Sequence, residues 1–273
     1  SRHRLARTTR KRERQAGRPL RLSPVYHWHA ERGAAFGEKA GWERVNYYEA
    51  NAAAGDRSTR PDGWAGQLWS PATGAEHCAT REAAGLFDET SFAKIEVTGA
   101  DAARFLESLC ANSVAGPVGG VTYTQMLNRR GGIEADVTVS RAAPDRFWIV
   151  TGTAFGTHDM AWLRAHLPDG GDVQFNDITS RYACFALWGP RARDILQTLS
   201  PADLSNAAFP YLTRQSIAVA SAPVEALRVT YVGELGWELY CPSDYGLSLW
   251  EALWEAGKPY GLFYSHGGGG AVR

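Results

Sequence analysis

The sequence predicts an α+β fold made of two similar units with antiparallel sheets, and three observations carry that reading. The segments Val97-Thr-Gly-Ala-Asp-Ala-Ala-Arg-Phe-Leu106 and Leu187-Trp-Gly-Pro-Arg-Ala-Arg-Asp-Ile-Leu196 echo one another in their glycine, arginine-or-aspartate and leucine positions. Each copy is followed by a glycine-punctuated hairpin bearing an acid, Asp136 within 131–139 and Glu238 within 228–240. The length, 273 residues, suits one large domain or two intimate smaller ones. Duplication of this kind predicts a ligand cleft at the junction of the copies, and two copies are too few for a solenoid.

Taken in order, residues 1–21 read as a basic tail holding Arg2, Arg4, Arg7, Arg10, Lys11, Arg12, Arg14, Arg18 and Arg21. Such a run is either a nucleic-acid arm or a solvated, poorly ordered tail. The acidic balance of the remaining chain and the lack of interleaved aromatics favour the tail. Residues 22–69 read as an irregular connector dense in aromatics, among them Trp42, Tyr47, Tyr48, Trp64 and Trp69, which staple a loop onto another surface.

The domain proper is expected over 70–262, in subdomains of about 92–180 and 181–262. A helix over 71–84 stops at Gly85, and 92–97 alternates as a strand. Residues 99–109 form a helix with Ala102, Phe105, Leu106 and Leu109 on one face. Strands 121–127 and 133–139 make a hairpin turned by Asn128-Arg-Arg-Gly-Gly132, and 147–151 is a third strand. A helix over 158–167 turns Met160, Leu163 and Leu167 inward. The second unit repeats this with a strand at 183–188 and a helix at 189–199, whose Pro190 suits a first turn. A hairpin of 224–231 with 237–241 follows, then a helix over 243–257 carrying Leu249, Trp250, Leu253 and Trp254. Residues 263–273 leave that helix for a glycine-rich tail.

Lys plus Arg and Asp plus Glu both number 29, so the formal net charge is zero. That balance gives no reason to expect nucleic acid or an anionic membrane as partner. No apolar run reaches transmembrane length and no signal-peptide pattern opens the sequence. The expected compartment is the cytoplasm, or the mitochondrial matrix in a eukaryote. Cys78, Cys110, Cys184 and Cys241 lack C-x-x-C spacing and read as buried free thiols. His27 and His29 have no third ligand at metal-site spacing, so no metal is expected.

The chemistry concentrates in three side chains. Glu238 alternates with Trp237 and Leu239, so it faces away from a bulky apolar surface. It is either solvated or set in a pocket, where a carboxylate accepts two parallel hydrogen bonds from an amidine-like edge. Asp136, between Glu134 and Thr138, has the same two readings. Tyr231 either packs across strands or offers its hydroxyl to a polar ligand. Glycines beside these acids, Gly131 and Gly132 in one hairpin and Gly233 and Gly236 in the other, would let a ligand approach backbone closely.

These residues resemble the tetrahydrofolate site of the aminomethyltransferase family, which comprises the glycine-cleavage T-protein and the folate domains of dimethylglycine and sarcosine dehydrogenases. Asp136 falls on the family's active-site aspartate in G-G-x-x-x-D, and Tyr231 and Glu238 fall on its tyrosine and pterin-binding glutamate in Y-x-G-E-x-G-x-E. Further likeness lies in Gly85-Leu-Phe-Asp-Glu-Thr-Ser-Phe-Ala-Lys94, Tyr123-Thr-Gln-Met-Leu-Asn128 and Trp188-Gly-Pro-Arg191. The stretch Gly33-Ala-Ala-Phe-Gly-Glu-Lys-Ala-Gly-Trp-Glu-Arg44 is similar to the connector between the FAD and folate domains of those dehydrogenases.

The resemblance implies the family's folate-binding fold, with tetrahydrofolate as cofactor, Asp136 as catalytic residue and Tyr231 and Glu238 as cofactor-binding residues. It implies formation of 5,10-methylenetetrahydrofolate from an N-methylglycine-derived iminium, or alternatively a non-catalytic folate-binding or regulatory module or an inactive fragment. No G-x-G-x-x-G fingerprint is present, so FAD would belong only to a dehydrogenase domain missing at the N-terminal side. The family's C-terminal barrel and its folate-binding arginine have no counterpart, and Ser113 stands where the family usually has aspartate. The changes at both ends predict a fragment, or a frame-disrupted piece, of a longer enzyme. Its final helix and connector would then expose aromatic surface, giving weak folate binding and self-association.

Overall fold

The computed structural model describes residues 16–55 and 70–265. Along the chain run α1 (Tyr26–Glu31), β1 (Ala34–Lys39), β2 (Trp42–Tyr48), α2 (Pro71–Glu82), β3 (Ala84–Asp88), β4 (Ala93–Thr98) and α3 (Ala102–Leu109). There follow β5 (Val121–Leu127), β6 (Ile133–Ala143), β7 (Arg146–Thr151), α4 (Gly156–Ala165), β8 (Gln174–Asp177), β9 (Tyr182–Trp188) and α5 (Ala192–Leu199). The last elements are β10 (Arg214–Val219), β11 (Ala222–Leu227), β12 (Gly236–Pro242), α6 (Gly246–Gly257) and β13 (Leu262–Ser265).

A five-stranded sheet has the order β5-β6-β7-β4-β8 and a six-stranded sheet the order β10-β11-β12-β9-β3-β13. Every neighbouring pair is antiparallel except β13 on β3. The sheets stack face to face, with helices on their outer sides. On one outer side α3 and α4 bring Phe105, Leu106 and Leu163 onto Ile95, Val137, Val139 and Ile149. On the other, α5 and α6 bring Ile195, Leu196, Leu249, Trp250 and Leu253 onto Phe185, Leu187, Trp237 and Leu239. Strand β9 is covered on both faces, which is why its sequence is apolar almost throughout.

The internal echo has a geometric cause. Each copy is a strand, one glycine and a helix: Gly99 links β4 to α3, and Gly189 links β9 to α5. Their φ angles are +127° and +136°, a region closed to side chains. A Cβ at Gly99 would lie 2.0 Å from the Asp172 carbonyl oxygen, and one at Gly189 would lie 2.5 Å from that of Ala83. Gly189→Ala should therefore destabilise the chain by about 2 kcal/mol or more, from backbone strain together with the clash, as urea unfolding would measure. An unchanged denaturation midpoint would show that this turn relaxes freely.

Several expectations need correction. The 22–69 connector is not irregular. Its described part folds as α1, the β1–β2 hairpin and a 3-10 turn at Glu49–Ala54, while Trp64 and Trp69 lie outside the described residues. The end of the basic tail is tied down: Arg18 pairs with Glu43 at 2.5 Å, and the Arg21 guanidinium lies 4.3 Å from the Trp42 ring centroid. Gly85 is inside β3 rather than at a helix stop, and Leu167 is exposed because α4 ends before it. The second hairpin pairs only through Leu227, so Tyr231 lies on a loop. Residues 263–265 of the glycine-rich tail belong to β13.

The largest correction concerns aromatic surface. Trp42, Tyr48, Leu249, Trp250 and Leu253 are buried, and α1 of the connector packs on the final helix. Trp28 of α1 meets Trp250 and Trp254 edge-on at 5.4 and 5.7 Å. Aromatic exposure at these residues therefore gives no ground for self-association.

Candidate functional site

Strand alternation determines what each sheet presents to the space between them. On β6, Ala135, Val137 and Val139 enter the core beneath α3 and α4, so Asp136, Thr138 and Ser140 take the opposite face. Arg214 of the other sheet donates to the Ser140 hydroxyl at 3.1 Å, which makes this the inter-sheet face. On β12, Trp237, Leu239 and Cys241 enter the core beneath α5 and α6, leaving Glu238 and Tyr240 on the inter-sheet face. The Tyr240 ring meets Trp148 of β7 edge-on at 6.1 Å. Asp136 and Glu238 thus project from facing sheets.

The two carboxylates have different surroundings. Asp136 is exposed and accepts a hydrogen bond from the Gln125 amide at 3.1 Å. Tyr123 is also bonded to it, and that bond holds the phenol proton and pushes the Tyr123 pKa up, with Tyr231 a minor electrostatic contributor. This interaction places Tyr231 in the neighbourhood of the Asp136 carboxylate, at the loop that feeds β12. Tyr123 and Tyr231 are 56% and 50% exposed, so both rings remain open to a ligand.

Glu238 is half-buried by surface area, with its carboxylate set deep between the sheets. The Tyr240 hydroxyl donates to its Oε2 at 2.5 Å. Burial raises its pKa, while the Tyr240 bond and the Lys94 charge work the other way. Beside it lies a buried apolar cluster of Phe87, Ala186, Trp188 and Val232, with Ala186 directly opposite Glu238 in register. A ring edge carrying N–H donors suits such a carboxylate. The other glutamate of the motif, Glu234, instead pairs with Arg81 of α2 at 2.6 Å and fastens the Tyr231 loop.

Sequence reasoning assigned no role to Tyr123, Gln125, Lys94 or Glu89. For the first two the available signal was register: Gln125 is the β5 partner of Asp136, and Tyr123 is one rung pair away on the same face. Lys94 is fully buried, and its ammonium donates to the carbonyls of Thr90, Phe92 and Thr179 at 2.9, 3.0 and 3.3 Å. Burial lowers its pKa to about 8.

Two glycine expectations divide. Gly233 turns the Tyr231 loop with φ +83°. Gly236 instead makes room for its neighbour strand, since a Cβ there would lie 2.1 Å from the Leu187 carbonyl oxygen. The four cysteines are free; Cys184 and Cys241 are buried, whereas Cys78 and Cys110 are partly exposed. Burial pushes Cys110 and Cys241 up to about 12, so neither is a thiolate nucleophile at neutral pH. His29 is engaged with Tyr48 at 2.6 Å and Asp88 at 3.3 Å. Among the described residues no group of three His, Cys, Asp or Glu side chains is arranged for a metal, and no helix is long and apolar enough to cross a membrane.

The chain has relatives among known proteins. Rat (Rattus norvegicus) mitochondrial dimethylglycine dehydrogenase is 35% identical over 254 residues, covering 92% of this chain and 29% of that protein. The mouse (Mus musculus) mitochondrial pyruvate dehydrogenase phosphatase regulatory subunit is 33% identical over 257 residues, covering 91% of this chain and 29% of that protein. The chain thus spans under a third of the length of these relatives. The crystal structure of glycine cleavage system aminomethyltransferase T from Bartonella henselae superposes with TM-score 0.71 at 26% identity, covering 90% of this chain and 60% of that one. The GCVT N-terminal domain profile matches residues 25–272, and the chain belongs to that family.

Proposed function

We propose that the chain is a tetrahydrofolate-binding one-carbon transfer domain of a dimethylglycine or sarcosine dehydrogenase-like enzyme. The observation that carries this reading is the placement of Asp136 and Glu238 on facing sheets, with Tyr123 and Tyr231 beside the exposed acid. Glu238 accepts hydrogen bonds from the amino edge of the pterin, whose ring lies on Phe87 and Trp188. Folate supplies a ring nitrogen that captures a one-carbon unit as a methylene group. Asp136 stabilises the positive charge of an N-methylglycine-derived iminium and orients it, an electrostatic and positioning role. Gln125 and Tyr123 hold the Asp136 carboxylate in place. FAD, in this reading, belongs to a dehydrogenase domain that delivers the iminium.

The regulatory relative supports a second reading, in which the same cleft binds folate without turnover. Asp136 separates the two: recognition of the ring edge needs Glu238, whereas a charge beside the reacting carbon is needed only for transfer.

Glu238→Gln tests ring recognition. It keeps the shape and an acceptor for Tyr240 but loses the charge-assisted bonds, which are worth about 1.5–3 kcal/mol. Calorimetry should show tetrahydrofolate affinity falling by ~10-fold or more, with saturated turnover little changed. Equal affinity in the variant and parent would remove Glu238 from the folate site.

A further inference from the structure

We propose that Glu89 is the second half of the ring-edge site, a buried carboxylic acid that keeps its proton and offers a hydrogen-bond donor to the same ligand edge that Glu238 binds. This rests on the folate reading of the cleft. Glu89 follows β3, and its N–H donates to the Cys184 carbonyl at 2.9 Å. Phe87, two residues before it, belongs to the buried apolar cluster on the inter-sheet face, and the Glu238 charge on that face acts on the Glu89 carboxyl. Its side chain is only 5% exposed, and its Oε2 has no hydrogen-bond partner. A buried carboxyl oxygen without a partner is costly, and a ligand donor or acceptor would relieve it.

The surrounding charges explain why the proton stays. Arg44 from β2, Asp88 from β3, Lys94 from β4, Cys184 from β9, and Glu238 and Tyr240 from β12 face this space. Arg44 is the larger of the two positive influences on Glu89, ahead of Lys94, and it is shared with Asp88. Tyr240 and Cys184 are both raised by burial and stay neutral. Burial and then the Glu238 charge push Glu89 well up, and Arg44 and Lys94 offset this only in part. The Lys94 ammonium cannot help by direct contact, because it is bonded to three backbone carbonyls.

An acid and an acceptor on the inter-sheet side of the same sheet match a heterocycle edge on which N–H donors adjoin a carbonyl oxygen. That edge is present on a 4-oxopteridine.

The test uses the full 273-residue chain, infrared difference spectroscopy, and calorimetry with 5-formyltetrahydrofolate from about pH 6 to 9, for the parent and Glu89→Gln. The parent should show a carboxylic-acid C=O stretch at neutral pH that disappears in the variant. Its affinity should fall with rising pH, by up to ~10-fold per unit once Glu89 ionises. Glu89→Gln keeps a donor without a titrating proton, so its affinity should stay near the neutral-pH parent value and lose that slope. Absence of the acid band in the parent, with folate still bound, overturns the role of Glu89 alone. The band together with equal pH slopes in both proteins overturns it as well, leaving Glu89 structural. The band with no folate bound at any pH overturns the folate reading, and the ligand half of this proposal with it. The parent spectrum alone reports the proton if the variant does not fold.

Discussion

Asp136→Asn should leave the fold intact and lower methylenetetrahydrofolate formation by ~10²-fold or more, the usual loss when a preorganised charge at the reacting centre is removed. Asp136 is exposed, and its contacts with Gln125 and Tyr123 can be kept by an amide oxygen. Stability should thus shift by no more than about 0.5 kcal/mol. The assay supplies the iminium from a separate flavin dehydrogenase oxidising N-methylglycine and follows single-turnover product formation at saturating folate. Folate affinity should change far less than the rate. Equal turnover in the variant and parent would show that Asp136 is a solvated strand residue, and would favour the non-catalytic reading.

The largest stability effect is expected at Trp250. This side chain is fully buried, and its ring meets Trp28, His29 and Phe185 at 5.4, 4.9 and 5.1 Å. It therefore joins α1 and its hairpin to the six-stranded sheet. Trp250→Ala should cost about 3–5 kcal/mol through lost burial and a large cavity. Trp250→Phe should cost much less. It fills much of the same space, and it removes an indole N–H that is buried without a partner. Chemical denaturation of both variants checks this, and equal losses would mean that ring volume is not the controlling quantity.

The core elements were legible where burial imposes a clean period. Helices α3 and α5 show their Ala, bulky and Leu positions at the same offsets from Gly99 and Gly189, since one backbone turn serves both copies. Strand β12 was legible because Trp237, Leu239 and Cys241 are all buried on one face. The β1–β2 hairpin was not, because buried charge stands in for apolar residues there. Glu43 is 7% exposed yet satisfied by Arg18, so no alternation of hydrophobicity survives. Strand β13 has only four residues and pairs with β3, far away in sequence, so neither length nor a hairpin turn announced it.

The candidate site divides in the same way. Asp136, Tyr231 and Glu238 could be picked out by family resemblance, but pattern alone could not separate solvated acids from cleft acids. Alternation gives a face, whereas what covers that face is a tertiary fact. Tyr123 was hidden in a strand with no period of its own. Glu89 reads from sequence as a turn acid, and only the fold shows it buried near Glu238.

Whether one ligand spans both sheets is tested by a crystal structure of the chain with 5-formyltetrahydrofolate. The pteridine should lie against Phe87 and Trp188, with its amino edge on Glu238 and its one-carbon end beside Asp136, Tyr123 and Tyr231. A ligand seated elsewhere, such as the groove lined by Tyr182, Pro223, Glu225 and Pro242, or one touching only one of the two acids, would contradict it.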